Sequence, residues 1–143
     1  MGQRRRAREC ALQMLFQIDL TGTTPPDVFG TFWTGQEAGE DVRAFAERLV
    51  LGVTHEVRAL DRAITVSATN WRIERMAVVD RNVLRMAVYE LLHDPATPAP
   101  VVIDEAIEVA KKFGSEDSGS FINGILDDVR RRVERGELRT GGR

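Results

Sequence analysis

The sequence has 143 residues, of which 43% are apolar and 29% are charged, proportions typical of a single globular domain. No apolar run approaches the ~20 residues that span a bilayer, and no apolar signal-peptide segment follows the arginine-rich start, so we expect a cytoplasmic protein. A single cysteine, Cys10, excludes an internal disulfide and a cysteine-based zinc site, and the spacing of His55 and His93 is not that of metal ligands.

The net charge of −2 conceals an uneven distribution of charge. Residues 1–8 carry four arginines and no acid, and residues 130–143 carry six arginines and two acids, so each end carries +4 and the rest carries −10. Such a chain could bind a polyanion at one surface and a basic partner at another. The alternative is that both ends are merely solvated tails.

Helical periodicity of apolar residues runs through the chain. In the first predicted helix, Ala7, Ala11, Met14 and Ile18 form one stripe, while arginines fill the first turns. Cations there oppose the positive end of the helix dipole, and a docked anion would relieve that repulsion. No window alternates as a strand does, so the pattern predicts a bundle of about seven helices, one of them short. The predicted helices are Arg4–Leu20, Asp27–Trp33, Glu40–His55, Glu56–Thr69, Asp80–His93, Pro100–Gly114 and one from about Ser118 to Val129.

Two aromatic residues have alternative interpretations. Trp71 follows a turn, and we expect it to pack over a helical junction, with base stacking as the alternative. Phe121 shares a stripe with Ile125 and Val129, which indicates core packing. The polar residues around Phe121 would equally suit a platform on which a base of single-stranded RNA stacks.

Nothing in the sequence indicates catalysis. There is no phosphate-binding glycine loop, no nucleophile elbow and no metalloprotease motif. The adjacent acids at 104–105, 116–117 and 127–128 point in different directions on a helix, so they are poor acid–base pairs. Cys10 lies on a core-facing stripe, where we interpret it as a small buried hydrophobe. We therefore predict no enzyme activity, no metal and no cofactor.

The segments DRNVLRMAVYEL, VVIDEAIEVAKKFG and SGSFINGILD, in this order, resemble the C-terminal half of the NusB family of bacterial transcription antitermination factors. The segment RRRARECALQMLFQID resembles the first helix of the same family. The resemblance implies an all-α fold with two small helical bundles packed across each other. We accordingly predict one RNA-binding domain over residues 1–143, with subdomains at about 3–55 and 56–135 and a flexible tail at 136–143.

The resemblance also implies a function. Proteins of this family bind the boxA element of nascent RNA together with NusE, a ribosomal protein, and support antitermination by RNA polymerase, notably on ribosomal RNA transcripts. The implied RNA-binding residues are Arg4, Arg5, Arg6, Arg8, Arg85, Lys111, Asp117, Ser118 and Phe121. The implied NusE-binding residues are Phe16, Glu74 and Asp80, and the two acids suit a basic partner.

Two other functions are compatible with the sequence. One is an accessory domain of an rRNA-modifying enzyme, because some rRNA cytosine methyltransferases carry a NusB-like domain. The other is an autoinhibited homodimer that buries its arginine-rich face against itself.

Overall fold

The computed structural model describes residues 2–138, and this part of the chain forms seven α-helices and no strand. The predicted all-α fold with about seven helices is confirmed. The helices are α1 Gly2–Thr21, α2 Pro25–Phe32, α3 Glu40–His55, α4 Val57–Ser67, α5 Val78–His93, α6 Ala99–Phe113 and α7 Ser118–Glu134. Residues 139–143, most of the predicted flexible tail, lie outside the described residues.

Local sequence signals account for where the helices end. Helix α5 ends at His93, because Pro95 has no amide hydrogen to continue the ladder and biases Asp94 away from helical geometry. Helix α6 then begins with Pro100 in its first turn, where a missing amide hydrogen costs little. Both histidines stand at the C-terminal ends of helices, where a cationic ring is favourable.

Helix α5 is the centre of the fold, and it packs against α1, α3, α4, α6 and α7. Its side chains Val83, Leu84 and Val88 are essentially inaccessible to solvent. Cys10 on α1 is buried as well, as predicted for a small apolar side chain. The buried residues of all seven helices form one continuous apolar cluster. The two predicted subdomains therefore share a core, and the division between them stays a prediction.

Candidate nucleic-acid and protein interface

The four arginines at the start of α1 fall into different environments. The Arg8 side chain is buried, and its Nε and Nη2 atoms donate hydrogen bonds of 2.8 Å to the two carboxylate oxygens of Glu90 on α5. Burial by itself would lower the pKa of the Arg8 guanidinium, but the bonds to Glu90 outweigh it and raise that pKa. Arg8 thus joins α1 to the central helix.

Arg5 and Arg6 are bound more loosely at the surface. Arg5 donates bonds of 2.9 and 2.8 Å to the Glu105 carboxylate on α6, and 45% of the Arg5 side chain remains exposed. The hydrogen bond from Arg5 lowers the pKa of Glu105. Arg6 donates to the carbonyl oxygen of Glu37 at 3.1 Å. Both cations are partly available to an incoming phosphate.

Arg4 differs from the other three arginines because it has no hydrogen-bonded partner among residues 2–138. Within residues 2–138 no carboxylate oxygen lies within 4 Å of its guanidinium, which instead lies 4.2 Å from the ring centre of Phe45 on α3. A cation over an aromatic face keeps its charge available while its position is fixed.

The region from α6 to α7 carries a lysine and two aromatic rings. The Lys111 side chain is 64% exposed, with the Glu108 carboxylate at 3.8 Å. A Cβ atom at Gly119 would lie 3.6 Å from the Lys111 stem, so the end of α6 lies directly against the start of α7. Two residues later on α7, Phe121 packs edge-to-face against Trp71, with ring centres 5.5 Å apart. Trp71 is 56% exposed, so the prediction of a packed lid is wrong for most of the indole.

These features are continuous across the surface. Helix α1 runs beside α6, because Arg5 bonds to Glu105 and Glu9 accepts a bond of 3.0 Å from Lys112. The start of α1, the exposed side of α6 and the start of α7 therefore form one surface, which we call the α1–α6–α7 strip. It carries the exposed predicted residues Arg4, Arg5, Lys111 and Asp117, together with two half-buried ones, Arg6 at its edge and Phe121, whose side chain packs against the core.

Arg85 lies away from this strip, in a charged cluster that joins α1, α4 and α5. Its guanidinium donates bonds of 2.8 and 3.0 Å to Asp61 and one of 3.2 Å to Asp19. Asp19 also accepts bonds from Arg81 at 2.8 and 3.0 Å and from Asn82 at 2.9 Å. Sequence reasoning missed Asp19 and Asp61, because the partners lie 24 or more residues from Arg85 in the chain. The one signal in the sequence for these ion pairs is that Asp19 on α1 and Asp61 on α4 lie on helix faces that turn toward α5.

The predicted protein-binding residues differ in exposure. Phe16 is 37% exposed, and Leu20, one turn further along α1, is 59% exposed. The Glu74 side chain is 62% exposed beside Arg72. Asp80, by contrast, is only 9% exposed and accepts a hydrogen bond of 2.7 Å from the hydroxyl of buried Ser118. Asp80 and Ser118 therefore join α5 to α7 and do not present open polar groups, contrary to the exposed role expected for both.

The C-terminal arginines are neutralised within α7. Arg130 and Arg131 pair with Asp127, Arg132 pairs with Asp128, and Arg135 pairs with Glu137 just beyond the helix. These are mostly contacts one helical turn apart, a common surface arrangement. Among the described residues of the two chain ends, the exposed arginines that are not neutralised by acids of their own helix thus lie at the start of α1.

Two further classes of site find no support in the described part of the chain. No group of three or more His, Cys, Asp or Glu side chains in residues 2–138 is arranged to hold a metal ion. None of the helices there combines the length and the apolar character needed to cross a membrane.

Comparisons with known proteins identify the family of the chain. The model of the NusB family matches residues 5–131. The transcription antitermination protein NusB of Anaeromyxobacter dehalogenans is 54% identical over 128 residues, which cover 89% of either chain. That of Sorangium cellulosum is 49% identical and covers 90% of this chain and 92% of its own length.

Solved structures of NusB proteins have a similar fold. T. maritima NusB superposes with a TM-score of 0.81 at 36% identity, covering 94% of this chain and 97% of that one. A chain from the crystal structure of the antitermination factors NusB and NusE in complex with dsRNA has a TM-score of 0.82 at 27% identity. It covers 92% of this chain and 98% of its own.

Proposed function

The chain belongs to the NusB family, and from that premise we propose that it is a transcription antitermination factor that binds RNA as a non-catalytic adaptor. The observation that carries the proposal is the α1–α6–α7 strip. It combines the exposed ammonium of Lys111 with the Arg4 guanidinium, which lies over Phe45 and has no carboxylate partner among residues 2–138. It also carries Phe121, against which the exposed Trp71 packs. Arginines bind phosphates and stack on bases, and aromatic rings hold the bases of a single strand.

The RNA we propose is the boxA element of nascent ribosomal RNA transcripts. Arg4, Arg5 and Arg6 would bind the backbone at one end of the strip, and Lys111 would continue that contact along α6. Phe121 and Trp71 would hold bases at the other end. The complex of relatives that contains NusB, NusE and dsRNA supports an RNA ligand for this fold.

The protein partner we propose is NusE, bound at the second half of α1. Phe16 and Leu20 offer apolar area there, and exposed Glu74 offers a negative charge to a basic ribosomal protein. Arg81 links the segment that carries Glu74 to α1, because Arg81 donates hydrogen bonds to Asp19 on α1 and, at 3.5 Å, to the carbonyl oxygen of Glu74. The adaptor would thus bind RNA and protein on different parts of the same long helix.

Four of the predicted site residues would act by positioning others. Arg8 fixes the start of α1 on α5, and Arg85 fixes its end through Asp19. Asp80 and Ser118 hold the start of α7, one turn before Phe121. Their side chains are mostly buried, so they would maintain the shape of the binding surface rather than contact RNA or NusE.

A direct test is binding to labelled boxA RNA, measured by fluorescence anisotropy with and without NusE and compared with a scrambled RNA of the same length. We expect preferential binding of boxA and tighter binding when NusE is present. Equal affinity for both RNAs under both conditions would contradict the proposal.

We further propose that the adaptor acts on RNA polymerase in the cytoplasm as an RNA-bound monomer. A homodimer that covers the start of α1 would compete with RNA and serve as an inactive store. Light scattering should then show any dimer dissociating when boxA RNA is added, whereas a dimer that persists in the RNA complex would exclude this mechanism.

A further inference from the structure

A second surface lies on the other side of Arg4, between the start of α1, the second half of α3 and the end of α5. It is a cavity of about 610 Å³, with Arg4, Arg48, Leu51, Tyr89 and His93 among its lining residues. Pockets for small organic ligands typically measure about 300–1,000 Å³, so the volume accommodates a nucleotide. None of its residues other than Arg4 belongs to the α1–α6–α7 strip.

Two guanidiniums without carboxylate partners stand at the mouth of this cavity. The Arg4 and Arg48 guanidinium carbons lie 4.2 and 5.5 Å from the ring centre of Phe45. In the described chain, residues 2–138, no carboxylate oxygen lies within 4 Å of either guanidinium. Arg43, Arg58, Arg62 and Arg75 also have no such partner among residues 2–138, but they do not line the cavity, so Arg4 and Arg48 are the two guanidiniums available to an anion there.

The opposite wall of the cavity is aromatic. Tyr89 packs so closely over Gly52 that a Cβ atom there would lie 2.2 Å from the ring. The same ring lies 4.6 Å from that of His93, with the two planes tilted by 32°. The Tyr89 hydroxyl has no hydrogen-bond partner among residues 2–138, so it remains free to bond with a ligand.

Three acids adjoin the cavity: Glu90, Asp94 and Glu56, whose Oε1 lies 2.8 Å from Nε2 of His93. Glu90 is neutralised by its buried pair with Arg8. Asp94 accepts a bond of 2.7 Å from Thr97 and remains as an acceptor at the rim. Flat side chains, two free cations and isolated polar atoms together match a ligand that has a planar ring and a negative group.

We propose that this cavity binds a nucleoside phosphate, with its phosphate on Arg4 and Arg48 and its base against Tyr89, Leu51 and the neighbouring apolar wall. One source is a nucleotide of the bound RNA, splayed away from the strip at Arg4. The other source is a free mononucleotide. The first version rests on the proposed RNA-binding function, whereas the second does not.

Two variants test the cavity without disturbing the core. Arg48→Gln removes the cation from an exposed position, and Leu51→Trp fills the cavity from a side chain that is already 48% exposed. Arg43→Gln is the matched control, because Arg43 lies on the same helix over Trp33 at 5.3 Å and does not line the cavity. Unchanged melting temperatures would show that all three variants fold.

The variants are compared in two assays: anisotropy of a short single-stranded RNA, and NMR titration with uridine and adenosine 5′-monophosphates. If an RNA nucleotide occupies the cavity, Arg48→Gln and Leu51→Trp should weaken RNA binding by roughly 5- to 20-fold, the scale of one lost stack or phosphate contact. If a free mononucleotide is the ligand, the shifts of the Tyr89 and His93 rings should disappear in both variants while RNA affinity matches the control.

Both variants matching Arg43→Gln in both assays would overturn the proposal. Failure of the proposed adaptor function would give a different result from failure of the cavity proposal. A parent protein that binds no RNA but still shows mononucleotide shifts that depend on Arg48 would contradict the RNA function and leave the cavity site intact.

Discussion

At the scale of single residues, Arg8 and Arg5 provide a direct comparison of buried and exposed ion pairs. Both are bidentate with a glutamate, but the Arg8 side chain is 5% exposed and that of Arg5 is 45% exposed. We expect Arg8→Ala to destabilise the protein by about 3–5 kcal/mol, because it leaves the Glu90 carboxylate buried without a partner. Arg5→Ala should cost much less, since exposed pairs contribute little to stability. Urea unfolding measures the change in unfolding free energy for each variant. Equal losses would contradict the assignment of Arg8 to a buried ion pair and Arg5 to an exposed one.

Asp19 predicts how stability depends on pH. Partial burial raises the pKa of its carboxyl, but the hydrogen bonds from Arg81 and Asn82 outweigh burial and lower that pKa below its usual range. A lowered folded-state pKa contributes stability that is present above the unfolded value, about 4, and is lost as pH falls through the folded value.

The Asp19→Asn variant should therefore be less stable than the parent at neutral pH. Below pH ~4 its free energy of unfolding should fall less than that of the parent. Unfolding free energies measured in urea across that pH range test this. Glu116→Gln is the control for the loss of one carboxylate charge, because Glu116 is exposed. An Asp19→Asn profile parallel to that of the parent would exclude Asp19 as a source of acid sensitivity.

At the scale of helices, α5 shows what the sequence can predict. Apolar spacing predicted a helix from Asp80 to His93, and the structure begins it two residues earlier, at Val78. The predicted register is confirmed, because Leu84 on the apolar stripe is completely buried. Spacing within a helix is local information, and it determines which face turns inward.

Contacts between helices could not be predicted in the same way. Arg8 and Glu90 lie 82 positions apart, and nothing in their spacing indicates that they meet. The sequence therefore presented the first four arginines as one group, although one of them is part of the interior. The same reason explains why Asp80 was predicted to be exposed: its partner, Ser118, is supplied by a different helix.

The burial of Leu84 gives a prediction for the central helix. Leu84→Ala should destabilise the protein by about 2–5 kcal/mol, because the cavity it leaves is surrounded by packed helices. Thermal and urea unfolding measure the change. Leu51→Ala is a suitable control, since Leu51 is 48% exposed and its truncation should cost well under ~1 kcal/mol. A loss at Leu84 no larger than at Leu51 would contradict the central position of α5.

At the scale of the whole molecule, the available positive charge in the structure is distributed differently from the formal charge along the sequence. In the sequence, each end of the chain carries a formal charge of +4. Within residues 2–138, the α7 arginines are paired with acids in their own helix or just beyond it, whereas Arg4 has no carboxylate partner and Arg5 remains half-exposed. Among the described residues of the two chain ends, the available cations therefore lie at the start of α1, and we expect RNA to be attracted there.

Replacing Arg4, Arg5 and Arg6 together with alanine tests that attraction, with Arg8 kept because it supports the fold. The helix should persist, since alanine favours helices and removing cations from the N-terminal turns relieves dipole repulsion. On a single strand each phosphate contact contributes about 0.7 to the slope of log K against log salt, so the slope should flatten by about 2. Replacement of Arg130, Arg131 and Arg132 is the control. Equal slopes for the two triple variants would place the RNA elsewhere.

Phe121 and Phe16 separate the two proposed surfaces of the same molecule. Phe121→Ala should weaken RNA binding by about 1–3 kcal/mol through lost base stacking while leaving the salt slope unchanged, because no phosphate contact is removed. Phe16→Ala should leave RNA affinity unchanged and weaken NusE binding, because Phe16 lies 37% exposed on the other half of α1. Anisotropy with RNA and calorimetric titration with NusE measure both effects. If either substitution weakened both interactions equally at an unchanged melting temperature, the two partners would have to share one surface, and the separation of RNA and protein sites along α1 would be wrong.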